Sequence, residues 1–161
     1  MNPKKEQALL CTLKKTLFVA GVLTFFSAVT LNTKVMQAQT IKSECVSVDS
    51  RQGWQRFNLP GSYSRVTSIS GGWSVDTRNY APVDTEGHIG QDAERLAPYN
   101  QYKFDLRFPF GALLMRTGAG ILWVQSPISF TNRFVSVDMR INDADDALGD
   151  NGGTLQVCFG N

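Results

Sequence analysis

Between Asn142 and Asn151 the chain gathers four carboxylates, Asp143, Asp145, Asp146 and Asp150, and two carboxamides, Asn142 and Asn151, within ten residues. All are hard oxygen donors, and the glycines Gly149, Gly152 and Gly153 let the backbone curl around a common centre. Calcium is the natural cation for such a set, because it takes six to eight oxygens in flexible geometry. The spacing is not that of an EF-hand. Gly149 arrives one residue late and Thr154 stands where a bidentate Glu is needed. A solvated acidic turn uses the same residue types, so composition alone leaves both readings open.

The other segment suited to ligand contact spans 77–101. It is polar, broken by Pro82, Gly87, Gly90 and Pro98, and holds the chain's one histidine, His88. A loop of this length inside a compact domain is usually functional or disordered. Tyr80, Tyr99 and Tyr102 suit either a ligand rim or loop packing. Catalysis is poorly supplied. The sequence has no HExxH, GxSxG, Walker A or CxxC motif, so nucleophile-plus-base and zinc schemes lack parts. Two carboxylates could hydrolyse a glycoside, but no sequence signal sets one in an apolar pocket to raise its pKa. The expectation is a binding protein and not an enzyme.

These two segments need strands to hold them. In the run Phe134 to Ile141, Val135, Val137, Met139 and Ile141 face one way and Ser136, Asp138 and Arg140 the other. Shorter strands are expected at 45–49, 54–58, 63–70, 72–76, 103–107, 111–116, 121–125 and 154–159. Turn signals at Pro60-Gly61, Gly71-Gly72, Gly118 to Gly120 and Gly152-Gly153 separate them. After residue 40 no helical periodicity is sustained; only 91–97, stopped by Pro98, could form a helical turn or two. Many short strands at such spacing make an all-β sandwich or barrel.

Four lysines, Lys4, Lys5, Lys14 and Lys15, precede a 15-residue uncharged apolar run from Leu17 to Leu31, and Ala38 offers a small residue at which to cut. Residues 1–38 therefore read as a signal peptide and 39–161 as the working domain, secreted or periplasmic, with no membrane span after cleavage. Met36 and Lys34 are poor flanks for cleavage, so an uncleaved anchor is the alternative. Cys11 is no lipidation site, because Leu10 precedes it. Past residue 38 the chain carries 11 basic and 13 acidic residues, which leaves no basic stripe for nucleic acid. Two cysteines remain there, Cys45 and Cys158, each opposite the apolar face of its strand. An oxidising compartment and neighbouring first and last strands would join them as a disulfide.

Asn142-Asp143, then Asp150-Asn151-Gly152-Gly153-Thr154 and Gln156-Val157, preceded by Phe110-Gly111-Ala112-Leu113 and by Gly72-Trp73-Ser74, resemble the PA-IL-like galactophilic lectins of bacteria. Gly53-Trp54 to Pro60-Gly61 resembles that family's opening strand and turn, so the similarity covers nearly all of 45–161. The resemblance implies a jelly-roll β-sandwich of the galactose-binding-domain-like kind. It implies Ca²⁺ held between loops, with two hydroxyls of a galactose-like sugar completing the coordination. Carried over by position, Asp143 is the main carboxylate ligand, Ala147 gives a backbone carbonyl, and Asp150 and Asn151 match a pair of side-chain amide ligands. Asp150 departs from the family's Asn and adds a negative charge. A further carbonyl comes from Tyr80 by residue type or Asp76 by spacing after Trp73. Asp143, Asp150 and His88 would contact sugar. A module of the same fold with a structural calcium and a protein or cell-wall partner is the competing expectation, and oligomerisation is left open.

Overall fold

A computed structural model describes residues 43–125 and 127–161. The expected signal peptide, its cut after Ala38 and Cys11 lie outside these residues. Six strands follow in chain order: β1 (Glu44–Asp49), β2 (Gln55–Ser74), β3 (Leu113–Thr117), β4 (Gly120–Trp123), β5 (Ile128–Ile141) and β6 (Gly152–Gly160). A short helix α1 (Gln91–Leu96) runs into a 3₁₀ segment, Ala97–Tyr102. Among the described residues no helix is long and apolar enough to cross a membrane.

All pairings are antiparallel, in the order β1-β6-β2-β5-β3-β4. The two long strands serve both layers of a sandwich. The first part of β2, Gln55 to Asn58, pairs with Met139 to Ser136 of β5, whereas Arg65 to Ser74 pairs with β6. Between them the register breaks at Asn58/Tyr63 and again at Tyr63/Arg65. Bulges of this kind bend and twist a strand, which lets one ladder fold over on itself. Val48, Val66, Met115, Met139, Leu155, Val157 and Phe159 then share one buried cluster, although they come from five strands. Each such side chain contributes roughly 1.5–3 kcal/mol when fully removed from water. The all-β sandwich is the fold the alternation predicts.

The differences from expectation lie where the strands turn the corner. The segments 54–58, 63–70 and 72–76 are one strand, because Pro60-Gly61 and Gly71-Gly72 bend it without reversing it. β5 begins six residues before Phe134, through the polar run Thr131, Asn132, Arg133. The expected inward face of β5 holds for Val137, Met139 and Ile141, but Val135 is 61% exposed. Phe134 packs on the core instead, with its ring 5.6 Å from that of Phe159, because the adjacent register break exchanges the two faces. The strand expected at 103–107 is absent; that segment is a turn. The cysteines meet as expected: Cys45 lies opposite Cys158 in the β1–β6 register and the two form a disulfide.

Candidate functional site

The loop between β5 and β6 is fastened before it is functional. Asn142 is buried, and its carboxamide Nδ2 donates to the carbonyls of Asp105, Phe108 and Pro109 at 3.0, 3.1 and 2.8 Å. Its Oδ1 accepts from the Asp105 amide at 2.8 Å. Two N–H bonds shared among three carbonyls leave nothing over for a ligand. Asn142 therefore clamps the 105–109 turn against the end of β5, and explains why 103–107 bends where its alternation suggested a strand. The fully buried Arg140 holds the next turn. Its Nη2 donates to the Asp143 carbonyl at 2.6 Å and its Nε to the Ile141 carbonyl at 3.1 Å. Nη1 lies 2.8 Å from Asp145 Oδ1, and the guanidinium sits 3.9 Å above the Phe104 ring. Asp145 is thereby drawn outward, away from its neighbour Asp143.

Past this brace Asp143 points inward and is only 2% exposed. Its Oδ1 accepts from the Ala144 amide at 3.1 Å, while Oδ2 is buried with no hydrogen-bond partner. Burial pushes the carboxyl up to about 7, and the Asp150 charge adds to this; the Asn151 carboxamide, the Ala144 amide and Arg140 oppose it. Asn151 is buried too. Its Nδ2 donates to the Ser50 carbonyl at 3.0 Å, which leaves Oδ1 buried and unpartnered. A buried oxygen without a donor is costly unless a cation or a proton meets it. Asp150 is exposed, and its carbonyl is held by Thr77 through N and Oγ1 at 3.1 and 3.2 Å.

Asp143, Ala147 and Asp150 line an open cleft of about 720 Å³, together with Asp76, Tyr80, Arg95, Tyr99 and Tyr102. The 77–101 loop thus forms the opposite wall. It is tied down by Trp73, whose N and O pair with Val83 and whose indole Nε1 donates to the Gly111 carbonyl at 2.7 Å. Asp76 spends its carboxylate on its own turn, accepting from Arg78 N, Asn79 N and Asn79 Nδ2, and these bonds hold its pKa below the usual carboxylate value. Its carbonyl accepts from Asn79 N, Tyr80 N and Ser74 Oγ. The Tyr80 carbonyl meets only Ser74 Oγ, at 3.1 Å.

His88 is not brought to the cleft. Its imidazole is fully covered behind Tyr80, ring centroids 5.3 Å apart, with Nδ1 3.5 Å from Asp92 Oδ2 and Nε2 unpartnered. Burial lowers its pKa, against the pull of Asp92. The exposed cation in the cleft is Arg95, stacked 4.7 Å over Tyr80 and paired with Asp92 at 3.3 Å. Sequence reasoning passed over Arg95, Asn142 and Arg140 as wall and anchors. An arginine one residue from the end of a strand, just before an acidic run, was the available signal for Arg140, although its burial was not.

No protein-family model matches the chain, and no curated protein matches it. Among solved structures the chain is similar to one described as "EclA N-terminal domain; PllA-like lectin", at 18% identity over 73% of this chain and 95% of that one, with a TM-score of 0.49.

The donor set fits calcium. Asp143, Asp150 and Asn151 offer side-chain oxygens, and the Ala147 and Tyr80 carbonyls could add two more, a shell of hard oxygens short of the six to eight that calcium takes. Among the described residues no three His, Cys, Asp or Glu side chains are grouped as a metal site, so carboxamide and carbonyl oxygens would have to make up the count. The burial of Asp143, 2% exposed, sets this carboxyl apart from water, and no pattern in the loop foretold it.

Proposed function

We propose that this protein is an exported calcium-dependent carbohydrate-binding protein. The observation that carries the reading is Asp143, whose Oδ2 is buried without a partner although the residue lines an open cleft shared with three tyrosines, beside Asn151, whose Oδ1 is likewise buried without a partner. Asp143, Asp150 and Asn151 would hold a calcium ion, and vicinal sugar hydroxyls would complete its coordination. Asp150, exposed on the cleft, would accept hydrogen bonds from those hydroxyls, while Asp143, only 2% exposed, would serve the ion. Of the two carbonyls open for the loop ligand, that of Tyr80 is favoured, because Asp76 O already faces three donors. The resemblance to galactophilic lectins makes galactose-like sugars the first choice. The Cys45–Cys158 disulfide fits a secreted or periplasmic protein, working as residues 39–161 after loss of the leader.

A carboxyl with a raised pKa is also what a glycosidase acid needs. Asp143 answers that demand poorly. At 2% exposure it presents almost no surface from which to protonate a glycosidic oxygen. Binding of the full chain to a glycan array, in calcium and then in chelator, tests the reading. Chelator-sensitive binding to galactose-terminated glycans is expected. Binding that persists in chelator overturns it, and calcium uptake with no glycan bound favours a module whose calcium is structural.

A further inference from the structure

A second groove, of about 810 Å³, lies on the sandwich away from the calcium cleft and shares no lining residue with it. It opens where the β3–β4 hairpin leaves β5. The β3–β5 ladder ends at Arg116 opposite Asp138, and from there the hairpin tip and the Ile128 to Ser136 stretch of β5 diverge. Asp138 is also the partner of Arg56 in the β2–β5 register, so one carboxylate stands between two guanidiniums in a single cross-strand row. Arg56 takes that carboxylate with a fork, Nε and Nη2 each at 2.9 Å. The Arg116 guanidinium lies 4.1 Å from the centre of the Trp54 ring, and among the described residues its N–H groups have no hydrogen-bond partner. Arg133 enters from the other wall, exposed, and among the described residues no carboxylate pairs with it or with Arg116. Phe130 and Phe134, edge to face at 5.3 Å and packed in part against the core, also line the groove.

This arrangement concentrates positive charge locally. A domain with more acidic than basic residues places three guanidiniums around one groove and supplies one carboxylate to balance them. Guanidinium forks match planar carboxylates and sulfates, while aromatic faces pack against the C–H faces of sugar rings. The geometry points to a second binding site, for an acidic glycan bearing carboxylate or sulfate groups, that works without calcium. A single-stranded nucleic acid could also use arginine and aromatic contacts, but the net acidic domain lacks the surrounding basic field that nucleic-acid binding needs.

Calorimetric titration of the full chain in chelator tests this, with four probes: a sulfated heparin-derived hexasaccharide, an oligogalacturonate hexamer, neutral maltohexaose and a thymidine hexanucleotide. Binding is expected for at least one acidic glycan, and which one distinguishes sulfate from carboxylate. The affinity should fall with added salt and fall at least tenfold in an Arg116→Gln, Arg133→Gln double variant. Arg133→Gln alone, at an exposed residue, should weaken binding severalfold and keeps the test valid if the loss of the Arg116 stack on Trp54 impairs folding. Asp143→Asn should bind the acidic probe as the parent does, so failure of the calcium site and failure of this groove read separately. Binding of neither acidic glycan, equal affinity for maltohexaose, tighter binding of the hexanucleotide, or affinity untouched in the arginine variants overturns the proposal.

Discussion

If Asp143 holds calcium as proposed, metal-free stability and calcium binding make opposite demands on its carboxyl. Its carboxyl is raised from an ordinary 3.8 to about 7 by burial. A gap of that size corresponds to roughly 4 kcal/mol of preference for the protonated form in the folded state. The unfolded chain gives up this proton first, so the metal-free protein should lose stability as pH rises from about 4 through 7 and stay level beyond. Calcium reverses the preference, because it requires the ionised carboxylate. At about a hundred times its Kd it adds about 2.7 kcal/mol, which for a domain of this size raises Tm by roughly 10 °C. Asp143→Asn should separate the two effects. It removes the buried charge, so in chelator at about pH 8 it should gain roughly 2 kcal/mol, since no ionised carboxylate is then held away from water. The same variant should show no rise with calcium. Scanning calorimetry across the pH range, in chelator and in millimolar calcium, measures both. Equal Tm in calcium and chelator for the parent would refute the metal site, and an Asp143→Asn protein less stable than the parent in chelator would refute the electrostatic argument.

The disulfide closes a sequence separation of 113 residues. On the chain-entropy model its loss costs roughly 5 kcal/mol. Denaturant unfolding of a Cys45→Ser, Cys158→Ser variant should show a loss of that order with calcium uptake retained, since the bridge is remote from the loop ligands. Asn142→Ala should leave the carbonyls of Asp105, Phe108 and Pro109 and the Asp105 amide without their partner, at a cost of about 3 kcal/mol or more. Asn142→Asp should fare no better, because it loses the donors. For both, equilibrium calcium titration should give a weakened site although residue 142 is not a ligand, and unchanged affinity would show that the clamp does not position the loop.

The chain's alternation made the sandwich legible, and its cysteine phases made the disulfide so, because both depend on which face a residue takes within a single strand. The exposure of Val135 was not legible, nor was the union of three short strands into β2, because each depends on where a bulge passes a strand from one layer to the other. The acidic loop was visible as a donor set, but its division of labour was not. Asp143 faces inward and Asp145 outward because Arg140 bonds to one through its carbonyl and to the other through its carboxylate. That choice is made by a side chain whose burial follows from tertiary packing. His88, sorted by type as a sugar contact, lies behind Tyr80 for the same reason.

The acidic loop is pinned at its two ends by Asn142 and by Gly153, whose φ is 97° and whose missing side chain admits the backbone of Gly72 and Trp73. Between those pins, Ala144, Asp146 and Gly149 make no side-chain bond that the sandwich depends on. Such a loop can vary in content without risk to its scaffold, so its interior positions are free to change while its ends stay fixed. A library randomised at 144, 146 and 149 should therefore return mostly folded clones, whereas one randomised at 142 and 153 should return few.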